Sequence, residues 1–335
     1  MNGSNWFVLQ QLNLWLAQGI QPWLATVIET YGSSPRPEGS MMIYHPDKGI
    51  LGSLSGGCIE QELISQLATG QLDIQRFPHI IRYGESPEQQ ARLALPCGGH
   101  LDILLEKIES KDQVHFQSLE KALASRQWIS RHIDLIEPNH SNETTSGSAI
   151  SKTNKSTISI VHEVCEHDIQ RLPNKIIHAL KPHDKLLLVG AGEVARCLAE
   201  ICKNLEFEVT LCDFRDEFLQ GWQVEGVQVI KTTPDDLISE AFHDNHCAIV
   251  ALAHDPRVDD MAMMQALKTN AFYVGAMGSL ITSNKRRERL LELELNPKQI
   301  AKLHAPIGID IHSRTPHEIA VSIAAHLISA RTHRR

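Results

Sequence analysis

The sequence predicts an α/β protein of two domains, an N-terminal α+β domain followed by a Rossmann-like, doubly wound parallel sheet. Three observations carry this. At 335 residues the chain is longer than one compact core usually accommodates. From Lys185 onward, strand-like and helix-like segments alternate, the pattern of parallel strands with helical crossovers. Within that stretch "LLLVGAGEVARCLAEI" sets Gly190, Gly192 and Ala195 in the G-x-G-x-x-A spacing, directly after a strand and opening a helix.

In order along the chain, a helix opens the first domain from about Trp6 to Gly19. The runs "WLATVIET", "SMMIYHP", "HIIRYG" and "HLDILLEKI" read as strands, rich in β-branched or apolar residues and bounded by Gly, Pro or Asp. A helix from about Ile59 to Ala68, closed by Gly70, interrupts them. Residues 137–157, "EPNHSNETTSGSAISKTNKST", lose apolar periodicity and read as a disordered insertion in the first domain, because such a stretch buries too little to offset ordering entropy. "ISIVHEV" after it again reads as a strand, which moves the domain boundary to the region of Pro173 to Pro182 and gives domains 1–175 and 176–335. The second domain continues with "KLLLVGAG", a helix to about Lys203, "FEVTLCD", "VQVI", "HCAIVALAH", a helix near Val258 to Lys268, and "AFYVGAMG".

Composition narrows the class. Hydrophobic content of 42% and charged content of 21% describe a soluble globular chain, and a net charge of -8 argues against nucleic acid as the main partner. The N-terminal stretch "MNGSNWFVLQQLNLWLAQG" has no basic leader before an apolar core, and no apolar run nears the ~20 residues that span a bilayer, so the expectation is a cytoplasmic protein with no membrane partner. Seven scattered cysteines show no C-x-x-C pair. Cys197, Cys202, Cys212 and Cys247 sit in apolar periodic segments and are expected to pack as small hydrophobes.

At the Rossmann turn, Gly190 permits the tight turn, Gly192 lets a pyrophosphate approach, and Asp213, about 20 residues on, is placed to accept from a ribose hydroxyl. Glu193 in the first helical turn competes with a phosphate for the same positive end, so the turn either holds a phosphate-bearing ligand or only builds the sheet. His254, at a later strand end, is a candidate anion donor or proton carrier, with a surface His-Asp turn as the alternative. Gly275 and Gly278 mark another strand end, followed by a basic helix in which Lys285 and Arg289 read as solvated. Thr315, Pro316 and Glu318 read as N-cap, first helical residue and capping-box acid.

Several ordered segments together resemble the xanthine dehydrogenase accessory family, XdhC/CoxI. They are "TVIETYGSSPRPEGSMMIY", "GSLSGGCIEQEL", "LPCGGHLDILLE", "LLLVGAGEVA", "YVGAMGS" with "RRERL", and "HAPIGIDIHSRTPHEIAVSIAAHLI", spanning about residues 20–105 and 183–330. The resemblance implies a dimeric accessory protein that holds molybdenum cofactor, cooperates with a cysteine desulfurase, and delivers to a xanthine dehydrogenase-type apoenzyme. Where family members often carry GAGH this chain has "GAGE", which weakens nucleotide binding at that turn.

A carrier of a polar pterin, a phosphate and a dithiolene-bound metal needs N–H donors, cationic groups and thiolate. In "SGGCIEQEL" Gly56 and Gly57 are candidate N–H donors and Cys58, opening a helix, a candidate thiolate. Cys97, Gly98 and Gly99 repeat that chemistry in "LPCGGHL", and the two thiols would meet the molybdenum if they share a cavity. Arg36 is a candidate anion contact, with Ser33 and Ser34 as hydroxyl donors. Two competing readings remain: an NAD(P)-dependent oxidoreductase built on Gly190, Gly192 and Asp213, and a scaffold without a ligand.

Overall fold

Two units, Met1–Pro182 and His183–Arg335, account for the chain's internal contacts. The computed structural model describes residues 5–31, 36–72, 77–86, 88–89, 100–135, 156–160, 167–293 and 295–333. The predicted insertion lies outside the described residues except for Ser156 and Thr157, which open a strand.

In the first unit helix α1 (Asn5–Ala17) precedes strands β1 (Trp23–Thr30), β2 (Met41–His45) and β3 (Gly49–Gly52), helix α2 (Cys58–Ala68), and strands β4 (His79–Tyr83) and β5 (Leu101–Lys107). The five strands form an antiparallel sheet in the order β3-β2-β1-β5-β4. Side chains alternate across it: Met41 and Ile43 enter the core beneath α1, while Met42 and Tyr44 enter the core beneath α2. Both faces are covered, so these strands read as nearly continuous apolar runs in the sequence.

Helix α3 (Gln113–Ala124) and strands β6 (Ile129–Asp134), β7 (Ser156–Ile160), β8 (Ile169–Leu172) and β9 (Lys175–Leu180) complete the unit. These strands make a second antiparallel sheet, β7-β6-β9-β8. Of this group the sequence predicts only β7. The physical reason is visible in β6, whose "ISRHID" is punctuated by charge, yet Arg131 is buried and forks onto Glu106 of β5 at 2.7 and 2.6 Å. A paired charge in an interior position hides the strand's buried face from any reading of apolar alternation.

The second unit contains β10 (Asp184–Val189), α4 (Glu193–Asn204), β11 (Phe207–Cys212), β12 (Gln228–Ile230), α5 (Pro234–Ala241), β13 (Cys247–Ala251), α6 (Pro256–Ala266), β14 (Tyr273–Ala276), α7 (Leu280–Glu292), β15 (Leu303–His304) and α8 (Pro316–His333). Its six strands are parallel in the order β12-β11-β10-β13-β14-β15, the doubly wound Rossmann arrangement. Leu186 and Leu188 pack toward α4 and α8, and Leu187 and Val189 toward α5 and α6. All four cysteines expected to pack do so, free and buried, and burial pushes the Cys202 and Cys212 thiols up to about 12. The expected capping box is present: Thr315 Oγ1 accepts from the Glu318 N–H, and Glu318 accepts from the Thr315 N–H. Among the described residues, no helix is long and apolar enough to cross a membrane.

Candidate functional site

In the first unit, the antiparallel pairings point β1, β3 and β4 in one direction, so their C-terminal ends share one end of the sheet. The connections that leave this end carry all three motif segments: residues 31–40 after β1, 53–57 after β3, and 84–100 after β4. Ser33, Ser34, Cys97, Gly98 and Gly99 lie outside the described residues; Arg36 is described and half-buried. Cys58 is the first residue of α2, with Gly57 as its N-cap.

The loop from Ser53 to Gly57 folds around a residue that sequence reasoning missed, Glu60. Its carboxylate accepts N–H bonds from Leu54, Ser55, Gly56 and Gly57 at 2.8 to 3.1 Å. The Ser53 and Ser55 hydroxyls add bonds at 2.8 and 2.6 Å. Burial alone would raise the Glu60 pKa, but the bonds from Ser55, Leu54 and Ser53 outweigh it and hold the carboxyl well below the usual range. Gly56 and Gly57, expected to offer their N–H groups to a ligand, thus give them to the helix's own acid. Gly56 has a left-handed φ of +100°, while a Cβ on Gly57 would meet nothing within 4 Å, leaving open space over the start of α2. The overlooked signal was local, an acid three residues into a helix, where a capping-box acid belongs.

In the second unit the two fingerprint glycines differ. Gly190 has φ +101°, and a Cβ there would stand 2.4 Å from the Ala253 backbone, so the fold itself requires glycine. At Gly192 the nearest atom to a Cβ is Leu252 O at 3.8 Å, so no protein contact demands glycine.

Asp213 is fully buried, and its oxygens are occupied: it accepts from the Ala191 N–H at 3.0 Å and from the Arg215 N–H, Nε and Nη2 at 3.0, 2.9 and 2.8 Å. Burial raises its pKa, and the Arg215 guanidinium and these N–H groups lower it further than burial raises it. Glu193 pairs with Arg196, at 3.1 and 2.5 Å.

Next to this turn, a cleft of about 540 Å³ opens between the ends of β13 and β14. His254, Asp259, Gly278, Ser279 and Arg286 line it. Two of the expected residues, His254 and Gly278, therefore meet there. Gly275 does not line it; the missing Cβ admits Ile307 and Tyr273, each of which would lie 2.7 Å from one. Arg286, buried at the floor, donates to Asp260, to Asp259 and to the Met277 carbonyl at 3.0 to 3.1 Å. Asp259 also accepts from the Ala253 N–H at 3.0 Å. Burial pushes its pKa up to about 6 against the opposing pull of Arg286. Neither acid nor arginine carries a local signature, since the partners are 27 residues apart in sequence. Among the described residues, no group of three or more His, Cys, Asp and Glu is placed to hold a metal ion.

Comparison with known proteins assigns both units. Residues 186–327 match the XdhC Rossmann domain, and residues 15–84 match the XdhC and CoxI family. The chain is 25% identical over 317 residues, 92% of each sequence, to a probable xanthine dehydrogenase subunit from Bacillus subtilis (strain 168). It is 23% identical over 314 residues to the molybdenum cofactor insertion chaperone PaoD of Escherichia coli (strain K12), covering 92% of this chain and 83% of the relative. The crystal structure of a xanthine dehydrogenase from Bacillus halodurans aligns with a TM-score of 0.73 at 25% identity, covering 98% of this chain and 96% of that one.

Proposed function

We propose that this chain, which belongs to the XdhC/CoxI family, binds molybdenum cofactor as cargo and passes it to a xanthine dehydrogenase-type apoenzyme. Family membership supports a molybdenum-cofactor-related accessory role in general. Cooperation with a cysteine desulfurase that supplies the terminal sulfur, and action as a homodimer, are the finer parts of the proposal. A relative that is a molybdenum cofactor insertion chaperone along most of its length favours the carrier over a catalyst.

The observation that carries the proposal is the shared sheet end from which all three motif segments depart. On this reading Cys58 and Cys97 contact the molybdenum or its sulfur, while Ser33, Ser34, Arg36, Gly98 and Gly99 contact the polar rim of the cargo. The Glu60-filled loop of Gly56 and Gly57 contributes shape and open space rather than N–H donors. In the second unit Gly192, His254 and Gly278 are the proposed contacts of an anionic or nucleotide group, with Gly190 and Gly275 setting the backbone beneath them.

An NAD(P)-dependent oxidoreductase has less support, because a ribose hydroxyl would have to displace N–H donors that already fill Asp213. The deciding experiment is anaerobic purification with molybdenum and pterin analysis. The expected result is near-stoichiometric cofactor, weakened in Cys58→Ala and Cys97→Ala; undiminished binding in both variants removes the thiols from the site.

A further inference from the structure

Building on the cofactor-carrier reading, we infer that Tyr31 and His100 form a stacking platform for a pterin ring, and that Arg82 and Arg171 anchor the anionic group it carries. Tyr31 is the first residue after β1 and His100 the last before β5. They therefore flank two of the motif segments at the shared sheet end. The Tyr31 N–H donates to the His100 carbonyl at 3.0 Å, continuing the β1–β5 ladder by one rung. Above that rung the two rings lie parallel, 2° apart in tilt, with centroids 5.6 Å apart. Tyr31 nevertheless remains 67% exposed. The backbone bond holds the main chain and the His100 ring sets the tilt of a tyrosine that burial does not hold. A flat π system waiting for a second one accounts for it.

The charged groups one step along the ladder complete the site. Glu29 pairs with Asp102 across β1 and β5, and Arg82 pairs with Asp102 across β4 and β5. Because strand side chains alternate, residues 29 and 31 share a face, as do 100 and 102, so the Cα positions of the ring pair and of the charged pair are about 6.6 Å apart along the strands. Asp102 is 1% exposed and accepts from Arg82 Nε and Nη2 at 2.6 Å each and from Arg171 Nη1 at 2.9 Å. Arg171 also reaches Glu29 at 3.2 Å. A buried carboxylate thus fixes two guanidinium groups that are themselves 41% and 44% exposed. The Nε–Nη2 edge of Arg82 is spent on Asp102, and Glu29 lies 3.8 Å from Arg82, so an anion would engage the remaining guanidinium N–H groups, which are held in place and lose little freedom on binding. A planar nitrogen heterocycle with an anionic substituent about one ring-width away fits this combination, as in a pterin that bears a carboxylate or phosphate.

The test is a fluorescence titration of the full-length protein with pterin-6-carboxylate and with unsubstituted pterin, whose emission is quenched on stacking. Wild type is expected to quench both and to bind the carboxylate more tightly. Tyr31→Ala should weaken both by about five- to a hundredfold, and Tyr31→Phe, which keeps the ring, by no more than about twofold. Arg171→Gln should weaken pterin-6-carboxylate alone, with Arg82 still compensating Asp102. A Tyr31→Ala protein that binds both probes as wild type does, or a wild type that quenches neither, overturns the platform. Molybdenum and pterin analysis of anaerobically purified protein decides the carrier reading separately: retained cofactor beside an unmoved Tyr31→Ala titration sinks the platform alone.

Discussion

The two glycine-rich turns, one opening α2 and one opening α4, look alike in sequence and behave differently. Each ends a strand, starts a helix and brings backbone N–H groups together. At α2, four of them and two hydroxyls converge on Glu60, an acid of the same helix. At α4, Asp213, the residue after the neighbouring strand β11, takes one loop N–H and is otherwise filled by Arg215, while Glu193 turns to Arg196. The first turn is closed by an internal anion; the second keeps its helix start without a side-chain cap, and a Cβ on Gly192 would meet only the Leu252 carbonyl, at 3.8 Å. A glycine-rich turn is thus an anion site only to the extent that its own fold has not already supplied the anion.

The sharpest way to break this comparison is at Gly190. Gly190→Ala forces a left-handed alanine against the Ala253 backbone and should lower unfolding free energy by about 3–5 kcal/mol, read by urea denaturation. Gly192→Ala, two residues on, should leave the unfolding midpoint unchanged; an equal loss at both positions would show that the two glycines do the same work.

Next in size is Glu60→Ala, which strips a shared acceptor from four N–H groups and should cost about 2–4 kcal/mol in the same assay. Asp213→Asn keeps one acceptor oxygen for two of the four donors but sets an NH2 group against the other two, so about 1–3 kcal/mol is expected. A larger cost at Asp213 than at Glu60 would reverse the contrast between the turns.

A last contrast is in pH dependence, which has opposite signs in the two units. Glu60 has a depressed pKa in the folded state, so its contribution is complete above the unfolded value of about 4.3 and is lost as pH falls below it. Asp259, pushed up to about 6 by burial, binds a proton more tightly folded than unfolded. Stability therefore falls as pH rises from about 3.9, the unfolded value, through that folded value. Thermal melts across pH 3 to 7 should show Glu60→Gln flattening the acid limb and Asp259→Asn flattening the slope between about 4 and 6. Unchanged slopes in both variants would assign the pH response to other groups.

Much of the fold was legible because its signals are local. "WLATVIET" occupies β1 from end to end, "GAGEVA" sits where the Rossmann turn must be, and Thr315 with Glu318 caps α8. Strands β6, β8 and β9 were not legible. Their buried faces include Arg131 and His178, polar residues that are tolerated inside only by what surrounds them, such as the Glu106 carboxylate 25 residues before Arg131. The candidate site divides the same way. Cys58 and the glycines could be named from the sequence, whereas Glu60, within seven residues of all its donors, was readable in principle and looks like an ordinary helix acid. Arg286 with Asp259, and Tyr31 with His100, have no sequence spacing that would bring them together.

The sequence by itself determined the two-domain order, the parallel second sheet, the family, and which residues carry thiol, glycine and acid chemistry. Tertiary structure alone decided which of those groups are still available. Periodicity and turn chemistry depend on neighbours a few residues away and are written in the chain. A hydrogen bond depends on which acceptor arrives within about 3 Å, and for Ala191, Arg286 and Asp102 that acceptor or donor comes from another strand or helix.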